Sequence, residues 1–384
     1  MSNPTGYSVT SYGDMITCEP RMPAYAEALR RAITPGCTVI DIGAGTGIFS
    51  LLACQYGAGA VTAIEPADAV LLLNETALAN GFAEKINIVQ GLSTEHVPGR
   101  KADVIVSDIR GVMPLFEHHI ATIVDARERL LAPGGTLIPM RDTLRAALAS
   151  HPEGYSPCEE PWLRNPYQLD LRAGQRYAVN SWSKVFLQPE QLLCASAELA
   201  VLDYRSITNP NMSGSVTLVA ERDGTAHGLL AWFDAELAPG IGYSNAPGQP
   251  KLVYGQSFFP FEQPLNLVKG DRVEATIKAN LIDGSYVWSW TSRLFRGDAA
   301  KPELTMRQSS FLAQVMSPES LSRRADSHVP AATTAHAIDQ LGLSLIDGKR
   351  SLGEIALTLR EHFPEQFKDN AAALNHIAKL AGRY

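Results

Sequence analysis

Cysteine is scarce and scattered in this chain. Its five residues, Cys18, Cys37, Cys54, Cys158 and Cys194, are odd in number and never form a C-x-x-C pair. That pattern excludes a disulfide framework and a cysteine-built zinc site, so no metal is expected, and it fits a reducing cytoplasm. Long apolar runs are missing too. No stretch approaches the ~18–20 residues of a membrane span, and residues 1–13 lack a signal-peptide pattern. An excess of positive charge is also absent: 33 Lys and Arg stand against 40 Asp and Glu, a net charge of −7. A basic, polyanion-binding face is therefore not expected, which argues against a nucleic-acid partner. With 45% hydrophobic and 19% charged residues the composition is that of a globular chain rather than a disordered one. Its 384 residues allow about two domains, or three small ones.

What is present begins with an alternation. Residues 37–42 (CTVIDI), 60–65 (AVTAIE), 86–90 (INIVQ), 102–107 (ADVIVS) and 136–139 read as strands. Helical patterns over 48–56, 69–80 and about 120–131 separate them, so the economical reading is a Rossmann-like, doubly wound parallel sheet. Past Arg141 the texture becomes all-β. Strand signals recur at 144–149, 197–204, 215–220, 228–237, 256–261, 272–279 and 286–291, with Asp223-Gly224 and Asp283-Gly284 as the clearest hairpin turns. This second domain reads as a sandwich or barrel. An excursion at 152–184, rich in Pro, Trp and Tyr, interrupts it, and a polar stretch at 317–334 reads as a linker to helical patterns at 335–345, 352–363 and 370–380.

The chemistry starts at Val39-Ile-Asp-Ile-Gly-Ala-Gly-Thr-Gly-Ile48, where Gly43, Gly45 and Gly47 follow a strand directly. Glycines there let the backbone turn tightly and approach a ligand. A dinucleotide fingerprint would need glycine at position 48, which is Ile48. G-x-G-x-G preceded by Asp41 points instead to S-adenosylmethionine, and Glu65, ending the next strand, stands where it can accept hydrogen bonds from both ribose hydroxyls.

With these residues the chain resembles the protein arginine methyltransferases over residues 7–310. Met15-Ile-Thr-Cys-Glu-Pro-Arg21 is similar to the family's N-terminal segment, which implies that Met15 packs on the cofactor and Arg21 grips its carboxylate as a fork. Gly91-Leu-Ser-Thr94 resembles the adenine-contacting segment, with Thr94 where the family usually has an acid, so Ser93 and Thr94 are expected near adenine. Ser107-Asp-Ile-Arg-Gly-Val-Met-Pro-Leu-Phe-Glu117 resembles the family's double-acid loop, its acids Asp108 and Glu117 nine residues apart. Two carboxylates can hold a planar guanidinium from two edges and aim one nitrogen at the sulfonium methyl. Asp108 and Glu117 are thus the expected catalytic residues.

The departures matter. Asp108 is one methylene shorter than the family's glutamate. Arg110 brings a cation beside the acceptor pocket, free either to pair with an acid or to bind a substrate carboxylate. His119 stands where the family often has a methionine. Leu252-Val253-Tyr254 replaces the family's Thr-His-Trp, removing the histidine that supports an acid of the pocket. Arg110, His119 and Tyr254 are therefore read as pocket residues.

The resemblance implies an N-terminal segment at 1–35, a cofactor domain at 36–141 and a β-barrel at 142–310, with the excursion as an arm that makes a homodimer. Residues 311–384 form a linker and a helical module, whose 345–380 stretch resembles PqqD-like domains and suggests a bacterial chain in natural-product biosynthesis. The expected activity is N-methyl transfer from S-adenosylmethionine to arginine, peptidyl, free or in a small precursor. Two alternatives stay open: a methyltransferase for another small nucleophile, and a cofactor-binding pseudoenzyme that serves as a peptide-binding scaffold.

Overall fold

The computed structural model describes residues 7–164 and 167–383, so the first six residues of the N-terminal segment and two of the arm lie outside it. The chain divides into two units, Met1–Val315 and Met316–Tyr384.

The larger unit opens with α1 (Val9–Ile16) and α2 (Arg21–Ala32). Ser8 caps α1 by accepting the N–H of Ser11 at 3.1 Å. There follow β1 (Thr38–Ile42), α3 (Ile48–Gln55), β2 (Ala60–Glu65), α4 (Ala69–Ala79), β3 (Ile86–Gln90), β4 (Ala102–Ser107), α5 (His119–Asp125) and β5 (Leu131–Ile138). All strand pairings here are parallel, in the order β3-β2-β1-β4-β5. The order reverses between β1 and β4, which opens a crevice at their carboxyl ends, the usual ligand site of such sheets. The central strands β1 and β4 are mostly apolar and buried, Asp41 and Asp103 apart, as suits the middle of a parallel sheet.

One boundary differs from the sequence reading. The helix expected to reach residue 131 leaves α-geometry at Asp125 for a π-turn at Ala126–Leu130, and β5 starts at Leu131, ahead of the Pro133-Gly134-Gly135 turn. Gly134 has φ 77°, and the register with β4 shifts between Ala102 and Val104. Such a bulge suits an edge strand, where a proline costs no ladder bond.

Two antiparallel sheets follow. β6 (Arg141–Ala149), β7 (Ser183–Val185), β8 (Ala197–Asp203), β10 (Gly224–Ala238) and β12 (Gln256–Leu267) form one in the order β7-β12-β10-β6-β8, with β11 (Ile241–Ser244) on β10. β9 (Met212–Val219), β13 (Arg272–Ile282), β14 (Ser285–Phe295) and β15 (Leu304–Ser309) form the other, β15-β14-β13-β9. Phe259 packs on Trp288 and Trp290 between them at ring separations of 5.4 and 5.3 Å. Asp283-Gly284 makes the expected hairpin, both residues at positive φ, 49° and 75°. Asp223-Gly224 does not: β9 pairs with β13 and β10 with β6 and β12, so the chain changes sheet there.

The excursion is helical. α6 (Pro152–Leu163) and α7 (Arg172–Ala178) leave after β6 and return at β7. Its base is anchored, with Tyr155 and Val179 buried and the Tyr155 hydroxyl donating to the Glu262 carbonyl at 3.1 Å.

The smaller unit holds a short helix, α8 (Pro318–Ser322), within the expected linker, and then α9 (Thr334–Leu345), α10 (Leu352–His362) and α11 (Asn370–Ala381). Ile338, Ile355, Leu359, Phe367, Ile377 and Leu380 make its core. Ser351 and Glu354 form a capping box at the start of α10. Among the described residues no helix is long and apolar enough to cross a membrane.

Candidate functional site

β1 and β4 run side by side with Ile42 opposite Ser107, so the glycine loop and the acidic loop leave from adjacent strand ends. Gly43, Gly45 and Gly47 take φ of 72°, 54° and 85°, a region that side chains resist. Space gives a second reason: a Cβ on Gly45 would stand 2.7 Å from the Tyr12 ring, and one on Gly43 2.4 Å from Ile109. The loop is thus confined between α1 and the acidic loop.

Glu65 braces it. One carboxylate oxygen accepts the Gly45 N–H and the other the Ala67 N–H, each at 2.9 Å. A carboxylate has about four lone-pair positions, so one on each oxygen is left for a pair of hydroxyls. Beneath the loop Asp41 is fully buried. Its Oδ2 accepts the N–H and Oγ–H of Ser50 at 3.0 and 2.7 Å, while Oδ1 has no partner among the described residues. Burial pushes this carboxyl up to about 7 against the Ser50 hydrogen bonds. A cradle that a Cβ would fill, a braced acid with spare acceptors and an orphaned buried oxygen together fit a nucleoside with an amino-acid tail. Met15 is half-buried, and its carbonyl accepts Nη1 of the buried Arg21 at 2.8 Å. Ser93 is buried with its carbonyl held by Arg129 at 2.6 Å, while Thr94 is exposed.

Asp108 leaves the end of β4 into a cluster of partners. Oδ2 accepts Nε of Arg21 at 2.6 Å, Nη2 of Arg21 at 2.5 Å and the Tyr254 hydroxyl at 2.5 Å; Oδ1 accepts Nε of Arg110 at 3.2 Å. Burial raises the Asp108 pKa, but Arg21 and Arg110 outweigh it and hold the carboxyl at about 2. Arg110 reaches further. Nη1 donates to Asp142 Oδ1 at 2.8 Å, and Nη2 donates to the hydroxyls of Tyr25, at 2.7 Å, and Tyr243. The other Asp142 oxygen takes the Tyr204 hydroxyl, which also meets His119 Nε2 at 3.1 Å. Because that hydroxyl spends its proton on Asp142, His119 is the donor, and among the described residues its Nδ1 is left without a partner. Burial, then Arg110, pulls His119 down to about 3, so it is neutral.

Glu117 contrasts with all of these. It is exposed, at φ 42°, and among the described residues its carboxylate makes no hydrogen bond or ion pair. Electrostatically it is not remote from them: the Tyr7 hydroxyl is pushed up by burial and then by the charges of Glu117, Asp108 and Glu65.

One open alternative is resolved and one expectation changes. Of the two roles open to Arg110, the structure shows pairing with acids, and its side chain is fully buried. The support thought lost with the Thr-His-Trp histidine is present, because Tyr254 itself donates to Asp108. No motif marks Tyr25, Asp142, Tyr204 or Tyr243 in the sequence. The one available signal was Arg110, since a cation in an apolar loop needs a counter-ion.

Comparison with known proteins matches residues 155–287 to the arginine methyltransferase oligomerization subdomain and residues 25–139 to the ribosomal protein L11 methyltransferase (PrmA) profile. A probable protein arginine N-methyltransferase 6 of Arabidopsis thaliana is 31% identical over 235 residues, covering 59% of this chain and 54% of that protein. The chain thus spans about half the length of that relative. Protein arginine N-methyltransferase 1 of Dictyostelium discoideum is 26% identical over 272 residues, 69% of this chain and 80% of the relative. Among solved structures, the Trypanosoma brucei PRMT1 enzyme-prozyme heterotetrameric complex with AdoHcy superposes with a TM-score of 0.72 at 21% identity, covering 79% of this chain and 98% of that one. Arabidopsis thaliana protein arginine methyltransferase 10 gives 0.69 at 19%, over 79% and 98%. At these identities the structures speak for the fold.

Proposed function

We propose that this chain, a member of the protein arginine methyltransferase family, is an S-adenosylmethionine-dependent N-methyltransferase acting on a guanidino nitrogen of arginine. One observation carries the reading: the glycine loop braced by Glu65 and the loop bearing Asp108 and Glu117 leave from adjacent strand ends, with Ile42 opposite Ser107.

S-adenosylmethionine, when bound, supplies an electrophilic methyl on a sulfonium. Glu65 would take the ribose hydroxyls, Met15 and Ser93 would flank the nucleoside with Thr94 at its rim, and Arg21 would meet the carboxylate tail. Arg21 is already bonded to Asp108, so one guanidinium links the cofactor end of the site to the acceptor end. Asp108 and Glu117 bracket the acceptor guanidinium, and holding its plane aims one nitrogen for in-line attack. Glu117, with no other partner among the described residues, takes the proton released as the nitrogen gains its methyl.

The wider reading is a homodimer formed through the arm at 152–184, supported by the oligomerization-subdomain match. Five free, buried cysteines support a reducing, cytoplasmic setting. The PqqD-like 345–380 stretch supports a biosynthetic one, with a peptide or small arginine-containing acceptor.

Calorimetry with S-adenosylhomocysteine, followed by mass spectrometry of arginine and arginine peptides incubated with labelled cofactor, tests the proposal. Binding together with methylarginine formation is the expected result. No binding defeats the cofactor assignment, and binding without transfer to any arginine defeats the acceptor assignment.

A further inference from the structure

The reaction as proposed leaves Arg110 without a task, yet its guanidinium bonds four side chains around the acids. Nε meets Asp108, Nη1 meets Asp142, and Nη2 meets the hydroxyls of Tyr25 and Tyr243. The rings of Tyr25, Phe233, Tyr243 and Tyr254 surround its central carbon at 5.9, 5.5, 5.5 and 6.0 Å. These contacts come from α2, from the acidic loop itself and from the β-domain. A guanidinium is rigid and planar, so one fixed by Asp142 and two tyrosines cannot turn, and the direction of its remaining edge is set.

That edge points at Asp108. Oδ2 is taken up by Arg21 and Tyr254, whereas among the described residues Oδ1 accepts only from Arg110. With about four lone-pair positions on a carboxylate, one on Oδ1 is left for an acceptor, and Arg110 decides where it points. A bidentate grip on Asp108 is closed to the acceptor, while Glu117 retains both oxygens.

We propose that Arg110 is a positioning residue for methyl transfer: held by Asp142 and the tyrosine cage, it fixes Oδ1 of Asp108 so that its one free lone pair meets the acceptor guanidinium, and it leaves the two-pronged grip to Glu117. The proposal rests on the methyltransferase reading above. Arg21 from α2, Arg110 from the same loop and Tyr254 ahead of β12 bond Asp108 directly; Tyr25 from α2, His119 from α5, Asp142 from β6, Tyr243 from β11 and Tyr7 lie within electrostatic reach of it, and Glu117 within reach of Tyr7. Losing Arg110 removes one of the two cations that keep Asp108 ionised.

The test uses the full chain carrying Arg110→Met together with Asp142→Ala, which removes the cation and its counter-ion so that neither is stranded in the interior. With an arginine peptide, kcat is expected to fall about thirtyfold or more, while S-adenosylhomocysteine affinity stays within about threefold. The acid limb of the rate profile is expected to rise by about one pH unit or more. Carbon-13 titration of the Asp108 carboxyl, run without acceptor, is expected to show a matching rise. Arg110→Lys keeps the charge without the fork, so its acid limb should stay within about half a unit of wild type while kcat falls about tenfold. This variant decides the matter if the double variant does not fold. Turnover of either variant within about threefold of wild type overturns the proposal, as does an Asp108 that titrates identically in wild type and double variant. A wild type that methylates no arginine defeats the acceptor reading alone, because the titration still reports on Arg110.

Discussion

The Tyr254 hydroxyl donates to Oδ2 of Asp108 at 2.5 Å, across 146 positions of sequence. A residue of the β-domain thereby helps to hold the first acid of the loop after β4. Asp108 sits in a buried set of two guanidiniums and two carboxylates, Arg21, Arg110, Asp108 and Asp142, whose formal charges cancel. Glu117, from the same loop, stands outside that set.

The two acids should therefore respond differently to neutralisation. Asp108→Asn strands two buried cations on one carboxylate, with an expected loss of about 3–5 kcal/mol in urea denaturation. Glu117→Gln touches no partner among the described residues and should stay within about 0.5 kcal/mol of wild type. Both should lower kcat/KM by about a hundredfold or more. Equal stability losses in the two variants would contradict the geometry.

Acid should destabilise the fold through His119. Its folded pKa, about 3, lies below the ordinary 6.5, so the proton is bound by the unfolded chain first. The associated stability is complete above pH 6.5 and drains as pH falls toward 3, at about 1.4 kcal/mol per unit. His119→Phe, which also removes the orphaned Nδ1, should flatten denaturation midpoints measured between pH 7 and 5. An unchanged slope would show that the histidine charges inside the fold.

Gly45→Ala puts a methyl 2.7 Å from the Tyr12 ring at φ 54°. Strain of about 1–3 kcal/mol is expected, together with loss of S-adenosylhomocysteine binding by calorimetry. Normal affinity in this variant would mean that the ligand lies elsewhere.

Exposed apolar residues flank the arm's described helices, Leu163 at the end of α6 and Leu171 just before α7. If the arm makes a two-fold contact, Leu163→Asp with Leu171→Asp should halve the mass seen by light scattering. An unaltered dimer would move the interface off this segment.

The parallel sheet was legible because buried strands such as 102–107 are mostly apolar, with Asp103 near the start of that strand, and end at glycine or acidic loops. The glycine loop and Glu65 were legible because three glycines spaced to turn a strand tightly, with an acid ending the next strand, suit a nucleoside and little else. β11 and β15 were not, being a four-residue strand and one whose inward positions include Gln308. The sheet change after β9 was hidden because an Asp-Gly pair reads the same before a hairpin as before a crossing. Asp142 was out of reach because no local spacing ties it to Arg110, 32 positions earlier. Tyr254 looked like a loss because a hydroxyl in place of an imidazole is judged only once its partner is seen.

The buried Arg110–Asp142 pair also bears on descent. A chain that lost either residue alone would keep an uncompensated charge in a dry interior, a defect of several kcal/mol in a fold whose whole margin is about 5–15 kcal/mol. A lineage carrying both can leave them only by paired substitution, or after gaining stability elsewhere. The arrangement around Asp108, once acquired, is thus guarded against stepwise drift back to an uncharged loop, whatever acceptor selection favours.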